Sequence, residues 1–405
     1  MKQIFHYVFR GLLIVFSVGV VLLIVYKIYI TFNVGDDVLF NDSHMMPQMK
    51  HINDEENGWE NIKKAENVMY FPEEKSDLID KMVTGENWDN AFAQELVMKN
   101  SDAFLYFDEA LQKKYIVNPS QKSVDLKAID IDFVIENTNF FRKLVKIRTI
   151  GVLYYFHEGQ NMKGIDELDK ITQFSYKIDQ NERPLLIDVF INMSIHSTIE
   201  QANRYVLTKY ALSREELNII HKNRISIDHR DSLAHAFQLE YVVMKNSYNK
   251  MLYDPILLQE NNIDVNRMRQ PSFFWKPQQT QNMLMRHYEQ AVQNSSHACN
   301  DVVPDIELKK IGYVSGIVQE NGMGRTLINI TEIPYHNVQM KRCRLEFQSL
   351  INDVAIASQL YRSEYGQFPI SLTELDSKRY FAYNVADRMQ IWDVAYDART
   401  GQITQ

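Results

Sequence analysis

An uninterrupted apolar run near the N-terminus is the strongest pattern in the chain. The stretch from Gly11 to Tyr26 carries no charged residue, and continued to Phe32 it covers 22 residues. As a helix rising about 1.5 Å per residue it would be roughly 33 Å long, which matches a hydrocarbon core about 30 Å thick. The pattern therefore predicts a transmembrane helix over residues 11–32.

The charges on either side of this run predict its orientation. Lys2 and Arg10 precede it, and Asp36 follows it closely. The positive-inside rule places residues 1–10 in the cytoplasm and the chain from about residue 34 onward outside. No small-residue cleavage site follows the run, which favours an uncleaved signal anchor over a removed signal peptide.

The rest of the chain divides by pattern into three segments. Residues 33–57 are polar and acidic, and they predict a juxtamembrane linker. Apolar positions then recur at helical spacing, which predicts a helical ectodomain over 58–335 and a long helix with a small strand-containing element over 336–405. The predicted helices cover about 88–115, three successive helices within 130–209, the segment after a capping box at Ser213, and about 230–251, 278–293 and 336–365.

Composition agrees with a mainly α fold. Among 405 residues there are only 14 Gly and 10 Pro, and 45% of the residues are hydrophobic. The predicted fold is a transmembrane helix, an irregular helical-bundle or repeat-like ectodomain, and a small C-terminal α+β element with short antiparallel strands. The net charge of −8 argues against nucleic acid as a partner, because phosphates need a basic surface.

One helical hairpin within this ectodomain resembles a tetratricopeptide-type repeat. The resemblance rests on the spacing of Val152, Tyr155, Gly159, Gly164, Leu168 and Ile171. It implies two antiparallel helices that meet at Gly159, where a left-handed turn suits glycine.

The C-terminal segment carries a second resemblance. Tyr361 to Leu375 (YRSEYGQFPISLTEL) resembles the segment that follows the long helix of type II secretion pseudopilins. Together with Asn57-Gly-Trp59 it resembles, more fully, a group of bacterial membrane-anchored helical proteins without an established activity. The resemblance implies a single-pass protein of the bacterial inner membrane, with its ectodomain periplasmic or extracytoplasmic.

His229, Asp231 and His235 are the candidate chemical residues. Asp231 and His235 stand four positions apart on a predicted helix, a spacing that could hold a metal or orient a base. No HExxH or comparable ligand set completes the group, so a solvated helix face is the other interpretation. We predict no metal and no cofactor.

Two further features remain open. Phe273, Phe274 and Trp275 form an aromatic run that predicts either a partner-docking patch or a loop folded back onto the core. Cys299 and Cys343 could form a disulfide, for which the chain-entropy model gives about 4 kcal/mol, or they could be two unrelated thiols.

Two functional hypotheses follow. The first is a non-enzymatic, membrane-anchored scaffold or protein-interaction protein, because the ectodomain is helical and lacks a recognisable catalytic set. The alternative is an envelope hydrolase or ligand-binding ectodomain that uses the region of His229, Asp231 and His235. We also expect residues 336–405 to pack back onto the helical core, because their long helix is too apolar for solvent.

Overall fold

The fold is mainly helical with one small antiparallel sheet, as predicted. A computed structural model describes residues 18–26, 35–47, 53–118, 131–180, 184–225, 227–253, 275–299, 320–331, 335–377 and 395–404. Its helices are α1 (18–26), α2 (Trp59–Val68), α3 (Ser76–Val83), α4 (Asn90–Lys99), α5 (Ser101–Leu111), α6 (Ile131–His157), α7 (Asn161–Asp179), α8 (Leu186–Lys209), α9 (Arg214–Asn223), α10 (Arg230–Tyr253), α11 (Pro277–Ser296), α12 (Gly322–Thr331), α13 (Tyr335–Tyr365) and α14 (Leu372–Ser377). Strands β1 (Ala395–Asp397) and β2 (Gln402–Thr404) form the sheet, with Tyr396 opposite Ile403.

The chain forms two compact units. The first unit contains Met1–Met46, Tyr241–Gln290 and Asp305–Pro334, and the second contains Pro47–Glu240, Ala291–Pro304 and Tyr335–Gln405. The units interleave along the sequence, so patterns read in consecutive windows do not separate them.

The predicted membrane span is described only in part. Residues 18–26 are helical, and the remainder of 11–32 lies outside the described residues. No helix in the described part of the chain is both long enough and apolar enough to cross a bilayer.

The predicted helix over 88–115 is two helices in the structure, α4 and α5. Asn100 lies between them and is completely buried. Its side-chain amide donates to the backbone oxygen of Tyr70, and its side-chain oxygen accepts from the Tyr70 N–H, both at 2.9 Å. These two bonds satisfy the backbone N–H and carbonyl of Tyr70. They hold the Asn100 side chain at the point where α4 ends and α5 begins.

Helices α6 and α7 form the hairpin predicted around Gly159. Gly159 adopts φ +69°, a conformation that favours glycine, and it separates the two helices. A Cβ on Gly164 would lie 2.7 Å from the ring of Phe156. The absence of a side chain there allows α7 to pack closely on α6.

The C-terminal region packs within the second unit. Ile356 and Leu360 of α13 belong to the same buried core as α6, α7, α8 and α9. On another face of α13, Tyr361 shares a second apolar cluster with Leu375 of α14 and Ile403 of β2. The described residues of this region, 335–377 and 395–404, are therefore part of the fold of this unit.

The predicted linker contains a segment, residues 35–47, that is docked onto helices of the first unit. The Asp36 carboxylate accepts the N–H groups of Gln278 and Gln279 at 2.8 and 3.0 Å, at the start of α11. The Asn282 side chain then accepts from the N–H of Phe40 at 2.9 Å and donates to the carbonyl of Val38 at 2.8 Å.

The same segment continues along α10 and α11. The guanidinium of Arg286 lies 4.7 Å from the centre of the Phe40 ring. Asp42 is hydrogen-bonded to Tyr241 and Lys245 of α10. Burial alone would raise the pKa of Asp42, but these two contacts outweigh it and lower the pKa. Residues 35–47 are thus fixed to the first unit by backbone and charged contacts.

Candidate functional site

A buried chain of hydrogen-bonded ionisable side chains lies in the second unit. It begins at Asp179, the last residue of α7, whose carboxylate contacts Nδ1 of His229 at 2.6 Å. His229 immediately precedes α10. Ser232, in the first turn of that helix, donates to the same Asp179 oxygen at 2.9 Å. His229 is 2% exposed, so this pair is shielded from solvent.

A second histidine, His196, continues this series of hydrogen-bonded side chains onto α8. Nε2 of His229 lies 3.2 Å from Nδ1 of His196, and Nε2 of His196 lies 3.2 Å from Oε1 of Glu200. His196 and Glu200 are four residues apart, so they share one face of α8. Both are buried in a helix face that is otherwise mainly apolar.

Arg224 is the last member of this series of hydrogen-bonded side chains. The guanidinium donates to both Glu200 oxygens at 3.1 and 2.9 Å, and it also pairs with Asp353 of α13. Asn352 donates to Glu200 at 2.7 Å, and Arg224 reaches the Ser349 carbonyl at 2.8 Å. We call Asp179, His229, His196, Glu200 and Arg224 the histidine chain.

Burial and neighbouring charges shift the pKa values of the histidine chain in opposite directions. Burial alone would raise the pKa of Glu200, but the charge of Arg224 and the hydrogen bond with His196 outweigh it and hold the pKa below its usual value. For His229 burial dominates and lowers the pKa, although Asp179 opposes that shift. Glu200 is therefore ionised at neutral pH, while His229 is neutral.

The histidine chain has fewer hydrogens available than contacts when both of its rings are neutral. Three contacts join Asp179, His229, His196 and Glu200, and each needs one hydrogen between its two atoms. Two neutral imidazoles supply two hydrogens when both carboxylates are ionised. With two neutral rings one of the three contacts therefore lacks a hydrogen, and the contact between the rings couples the choice of tautomer in one to that in the other.

The space beside the histidine chain is small. A cavity of about 30 Å³ is bounded by His196, Glu200 and Arg224, together with Asp169 and Asn203. A buried water needs roughly 10–15 Å³, whereas ligand pockets are typically about 300–1,000 Å³. The cavity suits one or two water molecules. Burial raises the pKa of the Asp169 carboxyl that faces it.

The structure does not bring the three candidate residues together. His229 joins the histidine chain, whereas Asp231 is exposed and His235 is half-buried. Among the described residues, the ring of His229 is hydrogen-bonded to Asp179 and His196, and neither Asp231 nor His235 takes part in these two bonds. The same residues contain no group of three or more His, Cys, Asp or Glu side chains arranged to hold a metal ion.

The other sequence candidates are placed as follows. Trp275 is 5% exposed and packs against Tyr248 with ring centres 6.0 Å apart, while Phe273 and Phe274 lie outside the described residues. Cys299 and Cys343 are joined by a disulfide with Cα atoms 5.6 Å apart. Trp275 thus belongs to the core of the first unit, and the disulfide ties the stretch after α11 to α13.

Most of the histidine chain could not be predicted from local sequence patterns. Asp179 and His196 are 50 and 33 residues from His229, and Arg224 is 24 residues from Glu200. One local signal was present, because His196 and Glu200 are an i,i+4 pair of ionisable residues within an apolar helix face. No signal in the sequence pairs that face with Asp179 or His229.

Comparison with known proteins adds no family. No protein-family model, no curated protein and no solved structure matches the chain. The resemblances to a tetratricopeptide hairpin and to pseudopilins therefore stay predictions.

Proposed function

We propose that this chain is a membrane-anchored, extracytoplasmic helical protein that acts as a scaffold or interaction partner for other proteins. The observation that carries the proposal is the docked segment, residues 35–47. It begins three residues after Phe32, the predicted end of the span, and Asp36 and Asn282 fix it to α11. A long flexible tether would suffice to retain an enzyme near a membrane, whereas a segment bound to the helical body leaves only a short stretch of chain between that body and the predicted span.

The disulfide supports the extracytoplasmic side of the proposal. Disulfides persist in oxidising compartments such as the periplasm and are rare in the reducing cytosol. Cys299 and Cys343 are 44 positions apart in sequence, so their bridge constrains a long loop of the unfolded chain. The charges flanking the predicted span favour the same orientation.

The closed histidine chain supports a structural role over catalysis. A general acid or base must come within hydrogen-bond reach of its substrate. His196 and His229 are each 2% exposed, and both nitrogens of each ring already face a partner. Buried polar contacts of this kind can specify one helix arrangement over others, the role we assign to them here.

Site-specific photo-crosslinking of the full chain in bacterial cells tests the interaction. A photoreactive residue is placed at Met98, Leu105 or Ile370, which are 68, 58 and 74% exposed and apolar. Exposed charged positions, Arg142 and Lys222, provide matched controls. We expect an adduct of one defined mass at one or more apolar positions, and none at the controls.

Membrane topology is tested in the same cells. Protease added to spheroplasts should digest the C-terminal part of the chain, and the chain should remain in the membrane fraction after a carbonate wash. A protected C-terminal part would contradict the orientation. The absence of a defined adduct at every apolar position would contradict the scaffold role.

A further inference from the structure

An apolar pocket in the first unit has the chemistry of a hydrocarbon site. It has a volume of about 130 Å³, close to the apolar cavities of about 150 Å³ that bind benzene or xenon. Helices α10, α11 and α12 line it with Met244, Ser247, Tyr248, Thr280, Leu284, Leu327 and Ile328. Most of this wall is aliphatic or aromatic.

Two of the three hydroxyl groups that line the pocket, those of Tyr248 and Thr280, are already engaged in hydrogen bonds. The Tyr248 hydroxyl donates to the carbonyl of Pro277 at 2.9 Å, so the ring, and not the hydroxyl, is available to contact a ligand in the pocket. The Thr280 hydroxyl donates to the carbonyl of Lys276 at 2.8 Å. A polar ligand would have to displace these bonds, whereas an apolar one gains contact without that cost.

The docked segment places this pocket near the predicted membrane surface. Asp36 follows Phe32 by four residues, which span at most about 14 Å. Asp36 caps the first turn of α11, the helix whose Thr280 and Leu284 line the pocket. Within the docked segment, the apolar side chains of Val38 and Leu39 are 83 and 48% exposed.

We propose that this pocket binds the end of a hydrocarbon chain of a bilayer lipid. The inference rests on the proposed membrane anchoring. The pocket volume suits a few methylene groups or a small ring, not a whole lipid. The bound chain end would hold the first unit against the bilayer, in addition to the span itself.

Photolabelling of the full chain in lipid nanodiscs tests the proposal. The probe is a phosphatidylcholine with a diazirine near the end of one acyl chain, and a parallel sample receives a free fatty acid with the same diazirine. After irradiation, labelled peptides are mapped by mass spectrometry. We expect the phospholipid to label peptides that contain Met244, Leu284 or Leu327, as well as residues of the predicted span.

Matched variants identify the pocket as the site of labelling. Leu284→Trp fills it and should lower labelling of the α10 and α12 pocket peptides at least fivefold. Met323→Trp changes an exposed position one turn from Leu327 on α12 and should leave that labelling unchanged. Thermal unfolding checks that each variant folds. If Leu284→Trp does not fold, Leu327→Phe replaces it with the same expectation.

The outcomes separate this inference from the anchoring. Label in the span but not in the pocket would overturn the lipid site and leave the anchoring intact. Label from the free fatty acid alone would overturn the bilayer as the source. Label in neither place would overturn both proposals. Equal pocket labelling in Leu284→Trp and Met323→Trp would show that the probe reacts outside the pocket, which also overturns the site.

Discussion

Two buried ionic clusters of the second unit differ in whether their charge is fixed. In the first, which we call the arginine cluster, Arg148 is completely buried and pairs with Asp108 and Glu167. Its guanidinium also lies 4.8 and 4.4 Å from the ring centres of Phe104 and Phe107. In the histidine chain, two imidazoles occupy the centre, and their charge depends on pH.

The neighbours of each cluster strengthen that difference. Lys170 lies 3.0 Å from Asp108 and 2.9 Å from Glu167. Burial alone would lower the pKa of Lys170, but hydrogen bonds with Asp166, Glu167 and Asp108 outweigh it and raise the pKa. The raised pKa keeps Lys170 charged beside the arginine cluster, whereas burial keeps His229 neutral at pH 7. The contribution of His229 to stability therefore depends on pH near neutrality.

The largest predicted effect is on the arginine cluster. Arg148→Met should lower the free energy of unfolding by about 3–5 kcal/mol, because it removes the buried cation that the Asp108 and Glu167 carboxylates share and leaves them, among the described residues, with Lys170. Arg142→Met is the matched control, since Arg142 is exposed on the same helix, and should cost no more than about 0.5 kcal/mol. Denaturant unfolding measures both. Similar losses for the two variants would contradict the account of the arginine cluster.

Next in size is the loss of the fixed anion in the histidine chain. Glu200→Gln should cost about 3 kcal/mol, because Arg224 stays buried with one charged partner fewer. Asp353→Asn removes the other partner, whose side chain is 21% exposed, and should cost about 1 kcal/mol. The midpoints of chemical unfolding at pH 7.5 compare the two. A larger loss for Asp353→Asn would show that Glu200 is not the main partner of Arg224.

A smaller effect is expected from pH. Because the pKa of His229 is lowered in the folded state, the unfolded chain binds more protons below its ordinary pKa of about 6.5. The free energy of unfolding is therefore highest above pH 6.5 and declines as pH falls. A proton that binds to His229 only in the unfolded chain lowers it by about 2 kcal/mol between pH 6.5 and 5. The variant His229→Asn keeps a donor for Asp179 but cannot titrate, so it should remove this part of the decline.

The matched control for this experiment is His157→Gln. Burial also lowers the pKa of His157, which lies outside the histidine chain. Its effect on the pH dependence should add to that of His229→Asn, because the two residues belong to separate groups of side chains. Unfolding curves from pH 5 to 8 measure these slopes. An unchanged slope in His229→Asn would contradict the prediction.

Local pattern predicted the helices well and the histidine chain poorly, for one physical reason. Helix limits depend on neighbouring residues, such as the Ser213 and Glu216 capping box, whose two hydrogen bonds are present at 3.2 and 2.7 Å. The break at Asn100 depends on Tyr70, 30 residues away. Likewise His229 was identified with neighbours in sequence, Asp231 and His235, while its partners come from α7 and α8.

The aromatic run also shows that a local sequence pattern does not determine whether a side chain is buried. Trp275 could have been a docking residue or a core residue, and sequence offered no way to choose. The structure buries it against Tyr248 of α10, 27 positions earlier in the sequence. Burial of a single aromatic side chain depends on where distant helices pack, which periodicity within one window does not record.

Histidine-selective NMR of the full chain in nanodiscs tests most directly the claim that the histidine chain is a closed, coupled part of the core. His196→Asn and His229→Asn assign the two ring signals, which are then followed from pH 8 to 5. We predict that the His229 ring signals titrate only below pH 6.5, and that His229→Asn shifts the His196 ring signals because the two rings are in contact. A His229 transition near pH 6.5, as for a ring open to solvent, or unchanged His196 signals in His229→Asn would contradict the account.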